Sequence, residues 1–314
     1  MNKITVIGSG NVGSTIAYTL TVRGLASEIV MIDVNEEKSI GEALDIRQGV
    51  PFCNPATVYA GSYADAAGSD IVVITSGVAR KPGQSRLDLA QTNVNIIKSI
   101  ADKIVPVAPE ATYVIVSNPV DILTYVFLKH TGLPEERVIG SGTILDTARL
   151  RARVAEIYSV NQKNVHAYVL GEHGDSSFVP WSISNISNVP IEDYASAVLG
   201  DEVLPAFNMS EAEDYVKKSG AMVIQRKGAT FYAVSVSVCY ICQCLLSGID
   251  TTITVSTLLN GEYGISDVCL SLLNVVGNKG AHSKIILPLN DIEIEALHNS
   301  ANVLKDLTKS LNIF

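Results

Sequence analysis

No stretch of this 314-residue chain stays apolar long enough to span a bilayer, which excludes a membrane helix. Excess positive charge is also missing. Lys and Arg number 23 against 32 Asp and Glu, a net charge of −9, which excludes nucleic acid and anionic membranes as main partners. Cysteine is sparse, and five is an odd number for a disulfide framework. Cys239, Cys242 and Cys244 share an apolar stretch, but neither a histidine nor a fourth cysteine lies near them in the sequence. They read as buried, reduced thiols, and no metal site is expected. Repeats, low-complexity tracts and a flexible linker are absent. Met1-Asn2-Lys3 runs directly into an apolar strand, so no signal peptide is expected and the cytoplasm is the expected compartment.

What is there is apolar and regularly patterned. Hydrophobic residues make up 47% of the chain and charged ones 18%, enough for large cores in one large or two ordinary domains. Short apolar runs, at Ile4-Ile7, Glu28-Asp33, Ile71-Thr75 and Thr112-Ser117, alternate with helix-like segments. Those segments are Asn11-Arg23, Glu36-Gly49, Asp88-Ile104 and Asp121-His130. Such alternation predicts a parallel sheet with right-handed crossovers. The second half is less regular. It offers a helix over Asp146-Ile157, a strand over Val165-Leu170, helices from Glu211 and over Thr230-Leu246, and a closing helix over Asp291-Leu311. The two halves are expected to pack tightly, with a cleft between them.

Gly8-Ser9-Gly10-Asn11-Val12-Gly13 matches G-x-G-x-x-G, and it sits between a strand and a helix, the context that gives the motif meaning. Gly8 allows the tight turn, Gly10 lets a pyrophosphate approach the backbone, and Gly13 permits close helix–strand packing. Asp33 ends the second strand about 20 residues on, where a carboxylate meets adenosine ribose hydroxyls. It would repel a 2′-phosphate, so NAD is favoured over NADP. Thr75-Ser76-Gly77, at another strand end, is a third expected cofactor contact. The fold class expected is α/β: a Rossmann doubly wound parallel sheet with a second mixed α/β substrate domain.

Gly171-Glu172-His173-Gly174-Asp175-Ser176 follows an apolar run and places a histidine between glycines at a sharp turn. By itself His173 reads equally well as a surface turn residue. Beside a dinucleotide fingerprint it becomes a proton donor for a nicotinamide enzyme, since histidine titrates near neutral pH. Arg80-Lys81-Pro82-Gly83-Gln84-Ser85-Arg86 is a basic, turn-rich loop, whose plain reading is a solvated loop. Asn118 follows a strand and precedes Pro119. Asp146 and Arg149 lie three apart on one helix face, which an ordinary surface ion pair would also explain.

Together these motifs resemble the L-lactate/malate dehydrogenase family over nearly the whole chain. They are Gly8 to Gly13, Lys81-Pro82-Gly83 with Arg86, Ser117-Asn118-Pro119-Val120-Asp121, the run Gly140 to Arg149, and Gly171 to Ser176. Most of their wording is similar to the bacterial L-lactate branch. The resemblance implies an NAD-binding domain at 1-142 and a substrate/catalytic domain at 143-314. It implies that His173 exchanges the proton, that Asp146 orients it, and that Arg149 grips the carboxylate of a small 2-keto or 2-hydroxy acid. Arg86 would polarise the carbonyl from a closing loop near Gly77-Gln91, and Asn118 would help place carbonyl and imidazole, beside the cofactor. A homotetramer, a dimer of dimers, is implied too. Arg151 and His166 match positions that bind fructose 1,6-bisphosphate in activated bacterial relatives, although both also read as structural contacts.

One departure concerns substrate. In this family the residue before Lys-Pro-Gly faces the variable end of the substrate; glutamine is typical of lactate enzymes and arginine of malate enzymes. Here it is Arg80. A second guanidinium suits the second carboxylate of oxaloacetate, whereas pyruvate would leave it unpaired, at a cost of about 3–5 kcal/mol in a dry loop. Thr230, near the same end, and Leu87-Asp88-Leu89 read as lactate-type. The expectation is a slight preference for malate/oxaloacetate, with L-lactate dehydrogenase as the alternative. A non-catalytic dinucleotide sensor would lack the proton donor or anion clamp, and an NAD-using glycoside hydrolase would need a metal site.

Overall fold

The computed structural model describes residues 2–78, 86–200 and 204–313. Its backbone is organised by one sheet of nine strands. In the first half, β1 (Lys3–Ile7), β2 (Glu28–Ile32), β3 (Thr57–Ala60), β4 (Ile71–Ile74), β5 (Thr112–Ile115) and β6 (Val138–Gly140) alternate with helices. These are α1 (Asn11–Arg23), α2 (Glu36–Gly49), α3 (Arg86–Ile104) and α4 (Val120–Thr131). All six strands are parallel, in the spatial order β3-β2-β1-β4-β5-β6. The order reverses beside β1, which makes its carboxyl end the place where a ligand fits between diverging loops.

Both faces of this sheet are covered, so its strands are almost uniformly apolar. Alternate residues divide the core. Val30, Ile32, Val72 and Ile74 pack with α3 and α4, while Ile29, Met31, Ile71 and Val73 pack on the opposite face with α1 and α2. Helix ends follow local chemistry. Gly24 caps α1 in the left-handed region at φ 62°, and the Asn35 side chain accepts from the Lys38 amide at the start of α2. Helix α4 is the exception to amphipathicity. Val120 through Leu128 are all buried, because α4 lies between the sheet and the C-terminal helix.

After α5 (Ile144–Tyr158) the chain forms a small sheet of β7 (Val165–His166), β8 (Asn185–Ile186) and β9 (Val189–Pro190). It continues through α6 (Ile191–Ala197), α7 (Met209–Lys227) and α8 (Tyr232–Leu246). Three long-range strands follow, β10 (Thr251–Asn260), β11 (Ser266–Gly277) and β12 (Gly280–Lys284), before α9 (Asp291–Lys309) closes the chain. Strand β10 joins β6 antiparallel at Ser256 and Gly140, so the second half extends the first half's sheet. This continuity was not legible in the sequence, nor were β3 and β6.

The run Val165–Leu170 differs from its sequence expectation. Only Val165 and His166 are strand, with an isolated bridge from Leu170 to Phe178. The intervening backbone bonds to side chains instead: Arg151 Nε donates to the Ala167 carbonyl, Thr143 Oγ1 donates to Val169 O, and Thr147 Oγ1 accepts from Val169 N. Cys239, Cys242 and Cys244 are buried on α8, as expected, and burial pushes the Cys239 thiol up to about 12. Among the described residues no helix is long and apolar enough to cross a membrane, and no three His, Cys, Asp or Glu gather as a metal site.

Phe127 sits at 0% exposure on α4, its ring 4.9 Å from that of Tyr113 on β5. Phe127→Ala should destabilise the chain by about 3–5 kcal/mol, read from denaturant unfolding. A loss below about 1 kcal/mol would mean that α4 repacks freely over the sheet.

Candidate active site

The carboxyl ends of β1, β2, β4 and β5 lie side by side and carry the expected dinucleotide contacts. Gly8 turns at φ 105°, and its amide donates to Ile32 O at 2.7 Å, tying the loop to β2. A Cβ on Gly13 would lie 1.7 Å from Gly8 O, so only glycine lets α1 meet the turn. Gly10 caps α1, and a Cβ there would meet nothing within 4 Å. That open space in front of a helix N-terminus fits a pyrophosphate. Asn11 is exposed and Val12 half-buried in the first turn behind it.

Asp33 is half-buried just past β2. Its Oδ2 accepts from the Ser9 amide at 2.5 Å and its Oδ1 from the Asn35 amide at 2.8 Å. Thr75 Oγ1 donates to Gly8 O at 3.0 Å, which braces the glycine turn. Ser117 Oγ donates to Ser76 O at 2.6 Å, and exposed Gly77 follows. Asn118 is exposed at the end of the β5 segment, on a cis bond to Pro119. Its carbonyl accepts from Asn93 Nδ2 of α3 at 2.8 Å, and Asn93 Oδ1 accepts from the Val78 amide at 2.9 Å. Sequence reasoning gave Asn93 no role, yet it ties the start of the basic loop to the Asn118 turn.

His173 lies beyond Gly171, whose φ of 90° and paired 2.9 Å hydrogen bonds with Ser271 anchor the loop to β11. The imidazole Nδ1–H donates to Asp146 Oδ2 at 2.6 Å, and Arg149 Nη1 donates to Asp146 Oδ1 at 3.0 Å. Asp146 is 7% exposed and the His173 side chain 29%. The structure thus joins His173, Asp146 and Arg149, which the sequence placed 27 and 3 residues apart. On the backbone side, Asp121 Oδ2 accepts from the His173 amide at 2.8 Å, and Asp121 Oδ1 accepts from Ser256 Oγ at 2.6 Å.

Charges in this cluster tune one another. Burial alone would lower the proton affinity of His173, but the Asp146 charge and hydrogen bond, with Asp121 behind, raise it above 6.5 overall. Burial pushes the Asp146 carboxyl up, and the His173 and Arg149 charges and hydrogen bonds outweigh that and hold it below 3.8. The couple therefore keeps an ionised carboxylate beside a histidine able to carry a proton near neutral pH.

Other expected residues lie apart or outside. Arg80 falls outside the described residues. Arg86 opens α3, and its side chain falls outside them too. Thr230 is half-buried on the turn between α7 and α8. Arg151 lies 5.1 Å over the Tyr168 ring and His166 is exposed on β7. Arg151 also lines a cavity of about 680 Å³ between α5 and α8, with Arg23, Lys163 and Tyr240.

Family models match almost the whole chain: lactate/malate dehydrogenase, NAD binding domain, over residues 2–140, and lactate/malate dehydrogenase, alpha/beta C-terminal domain, over residues 143–313. The chain belongs to the lactate/malate dehydrogenase family. It is 46% identical to an L-lactate dehydrogenase of Thermoanaerobacter pseudethanolicus, with all of both chains covered. It is 45% identical to L-lactate dehydrogenase 1 of Clostridium acetobutylicum over 98% of each chain. Among solved structures, the minor L-lactate dehydrogenase of Enterococcus mundtii superposes with a TM-score of 0.94 at 37% identity, covering 100% of this chain and 99% of that one. As a member of this lactate/malate dehydrogenase family, the chain is an NAD-dependent oxidoreductase acting on a CH–OH group. The relatives' names favour the lactate alternative, and the expected malate preference finds no support in them.

Asp146→Asn should shift the alkaline limb of NADH-dependent keto-acid reduction to lower pH. The charge that favours the imidazolium is removed, so the acid form of His173 is lost sooner as pH rises. Turnover should also fall by about tenfold or more. An unmoved limb would separate His173 protonation from Asp146.

Proposed function

We propose that the chain is an L-lactate dehydrogenase, interconverting pyruvate and L-lactate with NAD. The observation that carries the reaction type is the His173–Asp146 couple beside Arg149, reached from the same sheet edge as the glycine turn. The substrate follows from full-length relatives that bear that name. When bound, NAD would supply the hydride acceptor, and its reduced form the hydride donor, for C2 of the acid.

The chain's own residues then divide the remaining work. With Nδ1 committed to Asp146, the Nε2 side of His173 gives a proton to the carbonyl oxygen in reduction and takes it back in oxidation. Asp146 fixes the tautomer and stabilises the imidazolium. Arg149 still has N–H donors beyond the one on Asp146, and these pair the substrate carboxylate in a planar fork. Arg86 polarises the carbonyl as the loop leading into α3 closes and excludes water; the last part of the expected 77-91 loop, from Arg86 on, is the start of α3. Asn118 orients the carbonyl, and Gly8 to Gly13, Asp33 and Thr75 to Gly77 hold the dinucleotide.

The division into residues 1-142 and 143-314 belongs to the same proposal, and the family models' limits support it. So does a cytoplasmic location, since NAD and small acids are water-soluble. We place Arg80 and Thr230 at the variable end of the substrate.

NADH absorbance decay with pyruvate and oxaloacetate, side by side, tests the substrate. Pyruvate should show the higher kcat/KM, and Arg80→Gln should raise the pyruvate-to-oxaloacetate ratio by about tenfold, because only the far end of the substrate differs. Higher kcat/KM for oxaloacetate in the parent would restore the malate assignment, and an unchanged ratio would take Arg80 away from the substrate.

A homotetramer is proposed on the family resemblance, with Arg151 and His166 receiving fructose 1,6-bisphosphate between subunits. An arginine and an exposed histidine suit a phosphate. Light scattering should give a tetramer, and the bisphosphate should tighten its assembly or lower the KM for pyruvate. A monomer would refute the first claim, and no response to the bisphosphate would refute the second.

A further inference from the structure

Asp121 is 2% exposed and lies in the first turn of α4, among Val120, Ile122 and Leu123. Its two oxygens serve different parts of the chain. Oδ2 accepts from the backbone amide of His173, 52 residues on, and Oδ1 accepts from Ser256 Oγ on β10, 135 residues on. Three segments therefore meet at one carboxylate: the helix that follows the Asn118 turn, the loop that carries His173, and the strand that joins the two halves of the sheet. Among the described residues no lysine or arginine pairs with it, and a buried carboxylate of that kind is a costly way to make two hydrogen bonds. An asparagine could keep both contacts at nearly the same shape, its oxygen accepting from the His173 amide and its NH2 donating to Ser256 Oγ. The charge itself needs a reason.

We propose that Asp121 is a positioning residue for the reaction proposed above: it docks the His173 loop against the nucleotide edge, and its negative charge, behind the imidazole, holds His173 in its proton-carrying form. The inference rests on that reading for its kinetic part alone. Asp146 grips the ring while Asp121 grips the backbone, so the imidazole is fixed from two sides.

The groups facing the pair come from every element around it. His173 faces Asp146 and Arg149 of α5 and Asp121 of α4. Asp121 faces His173 and Glu172 of the loop, Ser256 of β10 and Cys269 of β11. Burial pushes the Asp121 carboxyl up to about 6; the Ser256 bond, the His173 amide and the His173 charge oppose this, and Glu172 adds to it. Asp121 thus takes up its proton at higher pH than an ordinary carboxyl. The sign is the same for both carboxylates: removing either charge lowers the proton affinity of the imidazole.

The test needs no substrate at its first step. With its five histidines isotopically labelled, the parent and Asp121→Asn are titrated by NMR. The His173 resonance, assigned by its loss in His173→Asn, should titrate with a midpoint lower by about half a pH unit or more in Asp121→Asn. In pyruvate reduction, kcat should fall by about tenfold or more, with NADH affinity by fluorescence unchanged and KM changed less than kcat. Ser256→Ala removes a hydrogen bond that favours the Asp121 carboxylate, so Asp121 loses its charge at higher pH and the His173 midpoint should shift in the same direction by less. It also serves if Asp121→Asn does not fold. An unmoved His173 midpoint, in Asp121→Asn or in its absence in Ser256→Ala, overturns the proposal and leaves Asp121 a structural joint. If the parent reduces neither pyruvate nor oxaloacetate, the proposed function fails, while the NMR titration still decides whether Asp121 governs the charge of His173.

Discussion

The Asp146 carboxylate, 7% exposed, is shared between His173 Nδ1 at 2.6 Å and Arg149 Nη1 at 3.0 Å, and the site is arranged around keeping it ionised. A buried carboxylate without partners would simply protonate. Its two cationic neighbours prevent this and in turn hold their own orientations by bonding to it. Both Asp146 and Arg149 lie on α5, which begins just after the chain leaves β6. The site's geometry therefore depends on where β6 ends, and β6 is fixed by β5 on one side and β10 on the other.

That dependence explains the continuous sheet. Polar groups collect at the carboxyl edge because the strand interiors have no room for them. Both faces are filled by apolar side chains, with Tyr113 of β5 and Phe127 of α4 among the largest fully buried. The loops leaving β1, β2, β4 and β5 converge at the topological switch, so a glycine turn, a carboxylate and an amide meet there without any one element supplying all three. Strand β11 then brings Ser271 to Gly171, which carries the histidine loop to the same edge.

Substrate choice shows how whole-chain similarity and a single contact can point in different directions. Arg80, arginine before Lys81-Pro82-Gly83, carried the expectation of a dicarboxylate substrate. The relatives that match end to end carry the lactate name, and likeness over the full length outweighs an inference from one loop position outside the described residues.

Much of this protein was legible in order of residues alone wherever the physics is local. The glycine turn, α1 and α2 lie within a few residues of their own causes: a missing side chain, a cap, an acidic first turn. Asp146 and Arg149 share a helix face by spacing. His173 was visible because glycines flank it. The rest was decided by tertiary structure, because its causes lie far apart in the chain. Val165–Leu170 has strand composition, yet Thr143, Thr147 and Arg151 take up the hydrogen bonds of its centre. The pairing of β6 with β10 joins Gly140 to Ser256. Asp121 stood in the sequence as one carboxylate in an apolar helix start, closing the Ser117-to-Asp121 motif, with no role of its own. Its partners, 52 and 135 residues away, could be named only once burial forced each polar group to find another.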